Sequence, residues 1–276
     1  MNAVDRGGIP LNPAKVNAIA RSLGLEPLMH SFSLFVALLL LASTHTVYSQ
    51  VFDVGLNDES PTRTLFIPAD SAKAVVLLFP GGGGVLRLDD EGSTKSQHTF
   101  VRSSNLWKQY GIDAVLVDSP YDLGNERLDR RPLNNHLERI RSVVNFYKQK
   151  TGLAVWIFGH SRGTVSATRY ANQGKDRPNN IAGLIVAGTL HSAVLDSDVV
   201  LPALAIHHKD DKCRVTPPSA SESLIAGRAK NSAKSKLVLI DGGNDTGDPC
   251  QSFAHHGFNE REPELINAAS GFILGN

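Results

Sequence analysis

Three groups of residues, far apart in the chain, have the types needed for nucleophilic attack on an acyl carbon. Val155-Trp-Ile-Phe-Gly-His-Ser-Arg-Gly163 carries Gly-x-Ser-x-Gly where an apolar run meets a stretch of helical period. A serine at such a junction sits on a tight turn that lifts its hydroxyl above a sheet, and Gly159 and Gly163 omit the Cβ atoms that would collide there. A serine hydroxyl is a weak nucleophile until a base takes its proton, and the base needs a third group to orient it. The polar turn after Ala203–Ile206 offers two carboxylates, Asp210 and Asp211, and His255-His256-Gly-Phe258 offers two imidazoles. The resulting chain order, serine then acid then histidine, differs from the orders of the chymotrypsin-like and subtilisin-like proteases.

Phe79-Pro-Gly-Gly-Gly-Gly84 directly follows an apolar run. Glycines placed there let backbone N–H groups approach a developing oxyanion, with Gly82 the leading donor, Gly81 the second and the Arg162 N–H the partner from the serine turn. No Lys-Ser or Lys-Thr pair follows the glycines, as a phosphate-cradling loop would require.

These groups have to be held by a scaffold, and the pattern from Thr62 onward supplies one. Short β-branched or aliphatic runs alternate with amphipathic stretches, as in a parallel sheet wrapped by helices. Strands buried on both faces are expected at Ala74–Phe79, Ala114–Val117, Val155–Phe158, Leu184–Val186, Ala203–Ile206 and Leu237–Ile240. Helices are expected at Gln97–Tyr110, Leu133–Gln149, Arg162–Ala171, Pro217–Lys230 and Glu262–Leu274; Leu137, Ile140, Val144 and Tyr147 have the spacing of one buried face. Asp118 to Arg131 reads as the longest charged loop. About a dozen residues separate the strand ending near Thr189 from the one beginning near Ala203, which leaves little room for a lid.

The composition agrees with a single globular domain: 276 residues, 41% hydrophobic, 20% charged. A net charge of +1 gives no broad basic footprint, which argues against nucleic acid as a partner. Ser31 to Ala42 is apolar but shorter than the roughly 20 residues that span a bilayer. It reads as the core of a signal peptide, with cleavage expected after Ser49, where Val47-Tyr48-Ser49 has the small-x-small pattern. Residues 1–49 are thus expected to be an N-terminal extension and leader, with Met29 as an alternative start, and 50–276 the functional domain. Such a chain is exported to the periplasm or the extracellular space and has no stable membrane insertion after cleavage. Cys213 and Cys250 are the two cysteines, and a lone pair in an exported chain is expected to form a disulfide.

Taken together, the glycine loop, the Gly-His-Ser-Arg-Gly turn, the Asp211 turn and the His256-Gly-Phe loop resemble the α/β-hydrolase superfamily over about residues 62–276. The resemblance implies an α/β fold, a mostly parallel sheet flanked by helices, without a large cap. It selects Asp211, three residues after His208 in the position of the family's Gly-x-x-Asp, although Val215-Thr216-Pro217 replaces the usual Val-Pro. It selects His256 over His255. The implied activity is serine hydrolysis of ester-like acyl bonds in a small-molecule substrate through Ser161, His256 and Asp211, with no metal and no organic cofactor. The same fold hosts thioesterases, lactonases and peptidases, and a non-catalytic binding protein is a further alternative. A Cys213–Cys250 bridge would tie the acid loop to the base loop, or simply staple the surface.

Overall fold

The structure is a computed structural model that describes residues 48–55, 61–124, 134–175, 178–228 and 233–275. The leader expected over residues 1–49 lies almost wholly outside the described residues, as does half of the charged stretch from Asp118 to Arg131.

Eight strands form one sheet in the order β1-β2-β4-β3-β5-β6-β7-β8. In chain order they are β1 Gln50–Val54, β2 Thr62–Ile67, β3 Ala74–Phe79, β4 Ile112–Asp118, β5 Ala154–His160, β6 Gly183–Ala187, β7 Ala203–His208 and β8 Ser235–Ile240. β1 and β2 pair antiparallel, as do β2 and β4; every later pairing is parallel. The α-helices are α1 Thr99–Arg102, α2 Asn134–Thr151, α3 Gly163–Asn172, α4 Pro218–Ala226 and α5 Glu262–Leu274.

The apolar runs become strands because both of their faces are covered, and successive side chains enter opposite layers. Val75, Leu77, Val155, Ile157, Leu184 and Val186 pack with Leu137, Ile140, Val144 and Tyr147 of α2 and with Tyr170 of α3. Val76, Leu78, Trp156, Phe158, Ile185 and Ile206 point the other way, onto Phe100, Trp107 and the Leu265, Ile266 and Ala269 face of α5. Two cores on either side of one sheet hold its strand ends in fixed relation, and the site lies at those ends.

The six expected strands are present, each starting within two residues of the expected position. β1 and β2 were not expected as strands. They form the antiparallel edge, where β1 is only partly covered, so neither shows the long apolar run of the central strands. The single helix expected at Gln97–Tyr110 is instead the four-residue α1 followed by a 3-10 turn, Ser104–Tyr110. Ser103 Oγ bonds the Thr99 carbonyl at 2.8 Å and Ser104 Oγ the Val101 carbonyl at 2.9 Å, hydroxyl back-bonds that compete with a continuing α-helix. Residues 188–202, between β6 and β7, contain no helix or strand, so no lid is inserted there.

Candidate active site

Ser161 follows the last residue of β5 and precedes α3, and its backbone is left-handed, at φ 53°. A non-glycine residue resists that conformation by about 1–2 kcal/mol. Its neighbours explain how the turn is tolerated. A Cβ on Gly159 would run into the Gly163 carbonyl, and one on Gly163 into the Phe79 carbonyl at the end of β3. The two glycines therefore let strand, helix and the preceding loop meet at backbone distance, and the serine takes the strained position between them.

The glycine loop lies against this turn. A Cβ on Gly81 would stand 2.8 Å from Ser161 Cβ, so only glycine admits the approach. Gly84 N–H closes on the Gly81 carbonyl at 3.0 Å, and Leu123 N–H holds the Gly83 carbonyl at 2.9 Å. The Gly81 N–H lies 2.9 Å from His98 Nε2, and His98 Nδ1 accepts the Phe100 N–H, so the proton of that ring sits on Nε2. Gly82 takes φ 53° within the same loop, and Arg162 opens the serine helix, where N–H groups lack helical acceptors.

Asp211 and His256 meet across the ends of β7 and the 3-10 turn His255–Gly257. His256 Nδ1 lies 2.9 Å from Asp211 Oδ2, both side chains almost fully buried. A nitrogen facing a carboxylate carries the proton, which leaves the Nε2 lone pair to act as base. Burial opposes ionisation of Asp211, but hydrogen bonds from His207 and His256 and from the Cys213 N–H outweigh it and hold the carboxyl well below the usual carboxylate range. Gly188, at φ 54°, lets the imidazole rest on the end of β6: a Cβ there would stand 3.0 Å from His256 Cε1. Ser161, His256, Gly81, Gly82, His98 and Cys250 line one cleft of about 370 Å³. Asp210 is exposed and lies outside it, and His255 stacks on His208 with ring centroids 4.0 Å apart.

Three polar partners were not singled out from the sequence. His207 is fully buried, and its Nε2 faces both Asp211 Oδ2 at 3.2 Å and the Thr216 carbonyl at 3.0 Å. That nitrogen donates, and Nδ1 accepts from Ser221 Oγ at 2.7 Å. Thr216 Oγ lies 3.3 Å from Asp211 Oδ2 and 3.1 Å from His256 Nδ1, so this threonine is placed against both Asp211 and His256. His160 is buried beside the serine; its Nε2 reaches the His256 carbonyl at 2.9 Å and its Nδ1 lies 3.1 Å from His98 Nε2. Burial first, then the neighbouring His256 and His98, push its pKa well below the ordinary 6.5. The signal for His207 was strand parity, because residues two apart on β7 face one side; nothing in the sequence linked His98 to the site.

Cys213 and Cys250 form a disulfide, with Cα atoms 4.7 Å apart. Cys213 is buried at the acid turn, whereas Cys250 is exposed at the cleft rim.

The fold is that of the α/β serine hydrolases. Among solved structures, the chain is similar to a dienelactone hydrolase from Anabaena variabilis, with TM-score 0.58 and 16% identity over 84% of this chain and 99% of that one. It is similar to an α/β serine hydrolase without a lid from Xanthomonas campestris, with TM-score 0.59 and 14% identity over 83% and 94%. A thermostable carboxyl esterase from Bacillus coagulans gives TM-score 0.58 and 11% identity over 83% and 99%. No protein-family model matches the chain. No curated protein matches it by sequence.

Proposed function

We propose that this protein is a serine hydrolase that cleaves carboxylic ester-like bonds through an acyl-enzyme, with Ser161 as nucleophile, His256 as base and Asp211 as orienting acid. The observation that carries the reading is the His256 Nδ1 to Asp211 Oδ2 pair at 2.9 Å, buried behind a cleft that Ser161 shares with His256. Ser161 Oγ attacks the acyl carbon as its proton passes to His256 Nε2. The oxygen of the tetrahedral intermediate is held by the N–H groups of Gly82 and Arg162, with the Gly81 N–H as a further donor on the same loop. His256 returns the proton to the leaving oxygen, and a water deprotonated by the same imidazole then frees the acid. The solved structures of similar fold include esterases and a lactone hydrolase, which supports an acyl substrate without fixing its class.

The site is open. Its cleft continues past Gly83, Val85 and Ser96 into a groove of about 940 Å³ bordered by Arg87, Lys95 and Tyr121. This supports a small acyl group in the cleft and a larger polar leaving group in the groove. The disulfide supports export to the periplasm or the extracellular space, where it would persist, with residues 1–49 as leader and extension. No helix among the described residues is long and apolar enough to cross a membrane.

A fluorophosphonate probe tests the reading directly. The mature chain is expected to be labelled at Ser161 and to turn over short esters. Absence of labelling in the folded protein would instead favour a binding protein of this fold, and a screen that includes thioesters, lactones and peptides would rank the remaining classes.

A further inference from the structure

Asp210 and His255 are the chain neighbours of the acid and base proposed above, and the structure brings them together with His208. One ring nitrogen from each histidine and one carboxylate oxygen of Asp210 lie within 4.8 Å of one another. The two rings stack nearly parallel, 12° apart with centroids 4.0 Å apart, so one ring would have to turn for both in-plane lone pairs to meet at one ion. His208 Nε2 donates to the Gly242 carbonyl at 2.7 Å, so the lone pair of that ring is on Nδ1. Metal-binding histidines are commonly fixed by such a second hydrogen bond to a carbonyl. That lone pair now receives only a long contact from the Asp210 N–H, at 3.2 Å. His255 Nδ1 is buried without a hydrogen bond, and the nearest carboxylate oxygen recorded for it, Asp245 Oδ2, is 3.9 Å away. A buried polar nitrogen left in this way lacks the partner that nearly all such atoms have.

We propose that His208, Asp210 and His255 form a binding site for one zinc-class divalent cation. Two imidazole nitrogens and one carboxylate oxygen suit an ion of intermediate softness, whereas magnesium and calcium take mostly oxygen ligands. Bonds of about 2.0–2.1 Å to a tetrahedral ion place ligand atoms about 3.3 Å apart, so the three atoms would have to close by up to about 1.5 Å. The exposed Asp210 side chain and a turn of the His255 ring would together supply that movement. A water or Asp245 would complete the shell. The ion takes no part in the acyl transfer. It would fasten the turn after β7 to the histidine loop through residues that do not line the cleft.

Calorimetric titration of the metal-free, disulfide-intact protein with zinc chloride tests this without reference to activity. The expected result is one ion per chain, with no comparable heat from magnesium chloride. Asp210→Ala and His255→Gln should each weaken zinc binding by at least about tenfold. Circular dichroism of both variants should match the parent. Cobalt should give the visible bands of a site with nitrogen and oxygen ligands in the parent and lose them in His255→Gln. Absence of zinc binding would overturn the site, as would binding of equal strength in the parent and both folded variants.

Discussion

Ser161 is held in a backbone conformation that its side chain disfavours, and a substitution that keeps Cβ leaves that strain in place. Ser161→Ala should therefore keep the fold, seen as an unchanged melting temperature, while turnover falls by at least about a thousandfold. The proposed acid and base each have a neighbour that makes an internal control. Asp211→Asn should lower turnover by roughly 10⁴, because the amide can hold the wrong imidazole tautomer. Asp210→Asn, exposed and outside the cleft, should change turnover little. His256→Ala should be as damaging as loss of the serine and His255→Ala far milder; a reversed ranking in steady-state kinetics would reassign the base. The choice of Asp211 over Asp210 and of His256 over His255 came from resemblance, since adjacent identical residues look alike to any reading of residue type. Burial separates them: Asp211 and His256 point inward and their neighbours outward or sideways.

The elements around the site turn these local preferences into a fixed geometry. β3, β5 and β7 could be read from their apolar runs because both faces of a central parallel strand are covered, so the hydrophobic signal is continuous. β1 and β2 could not, because an edge hairpin is covered unevenly and its residues are mixed. The glycine at the end of β6 was equally silent. Gly188→Ala would add a Cβ against the His256 ring at a position already at positive φ. It should cut kcat with a smaller effect on the melting temperature, and comparison of the two changes checks the assignment. His98 and His160 were invisible for another reason: they meet each other, Gly81 and the His256 carbonyl only when segments distant in the chain come together.

At the scale of the whole molecule, buried neutral histidines set the response to acid. His160 has a pKa below its ordinary value, so the unfolded chain binds more protons than the folded one once pH drops below about 6.5. Stability is therefore full above that pH and is lost as pH falls from 6.5 toward the lower folded value, by at most about 1.4 kcal/mol per pH unit for one group. His208 is also lowered, by burial first, and acts in the same sense. Chemical denaturation between pH 7.5 and 5 should show the decline, and His160→Gln, if it folds, should shallow it without abolishing it. A cleft with no lid among the described residues also sets substrate range: kcat/KM should fall as the acyl chain of a p-nitrophenyl ester lengthens, and lipid emulsions should give no activation. A preference for long chains would require an acyl tunnel that the described residues do not form.

The disulfide makes the segment from Cys213 to Cys250 a closed ring of chain, and α4 and β8 lie inside it. β8 is the last strand of the sheet, so the edge where the sheet could peel open is the part that cannot leave as a free end. A single cut anywhere within the ring would open a loop without releasing a fragment. The nicked protein should migrate as one species on a denaturing gel without reductant and separate into two once thiol is added. Two pieces appearing without reductant would mean that the ring is not closed.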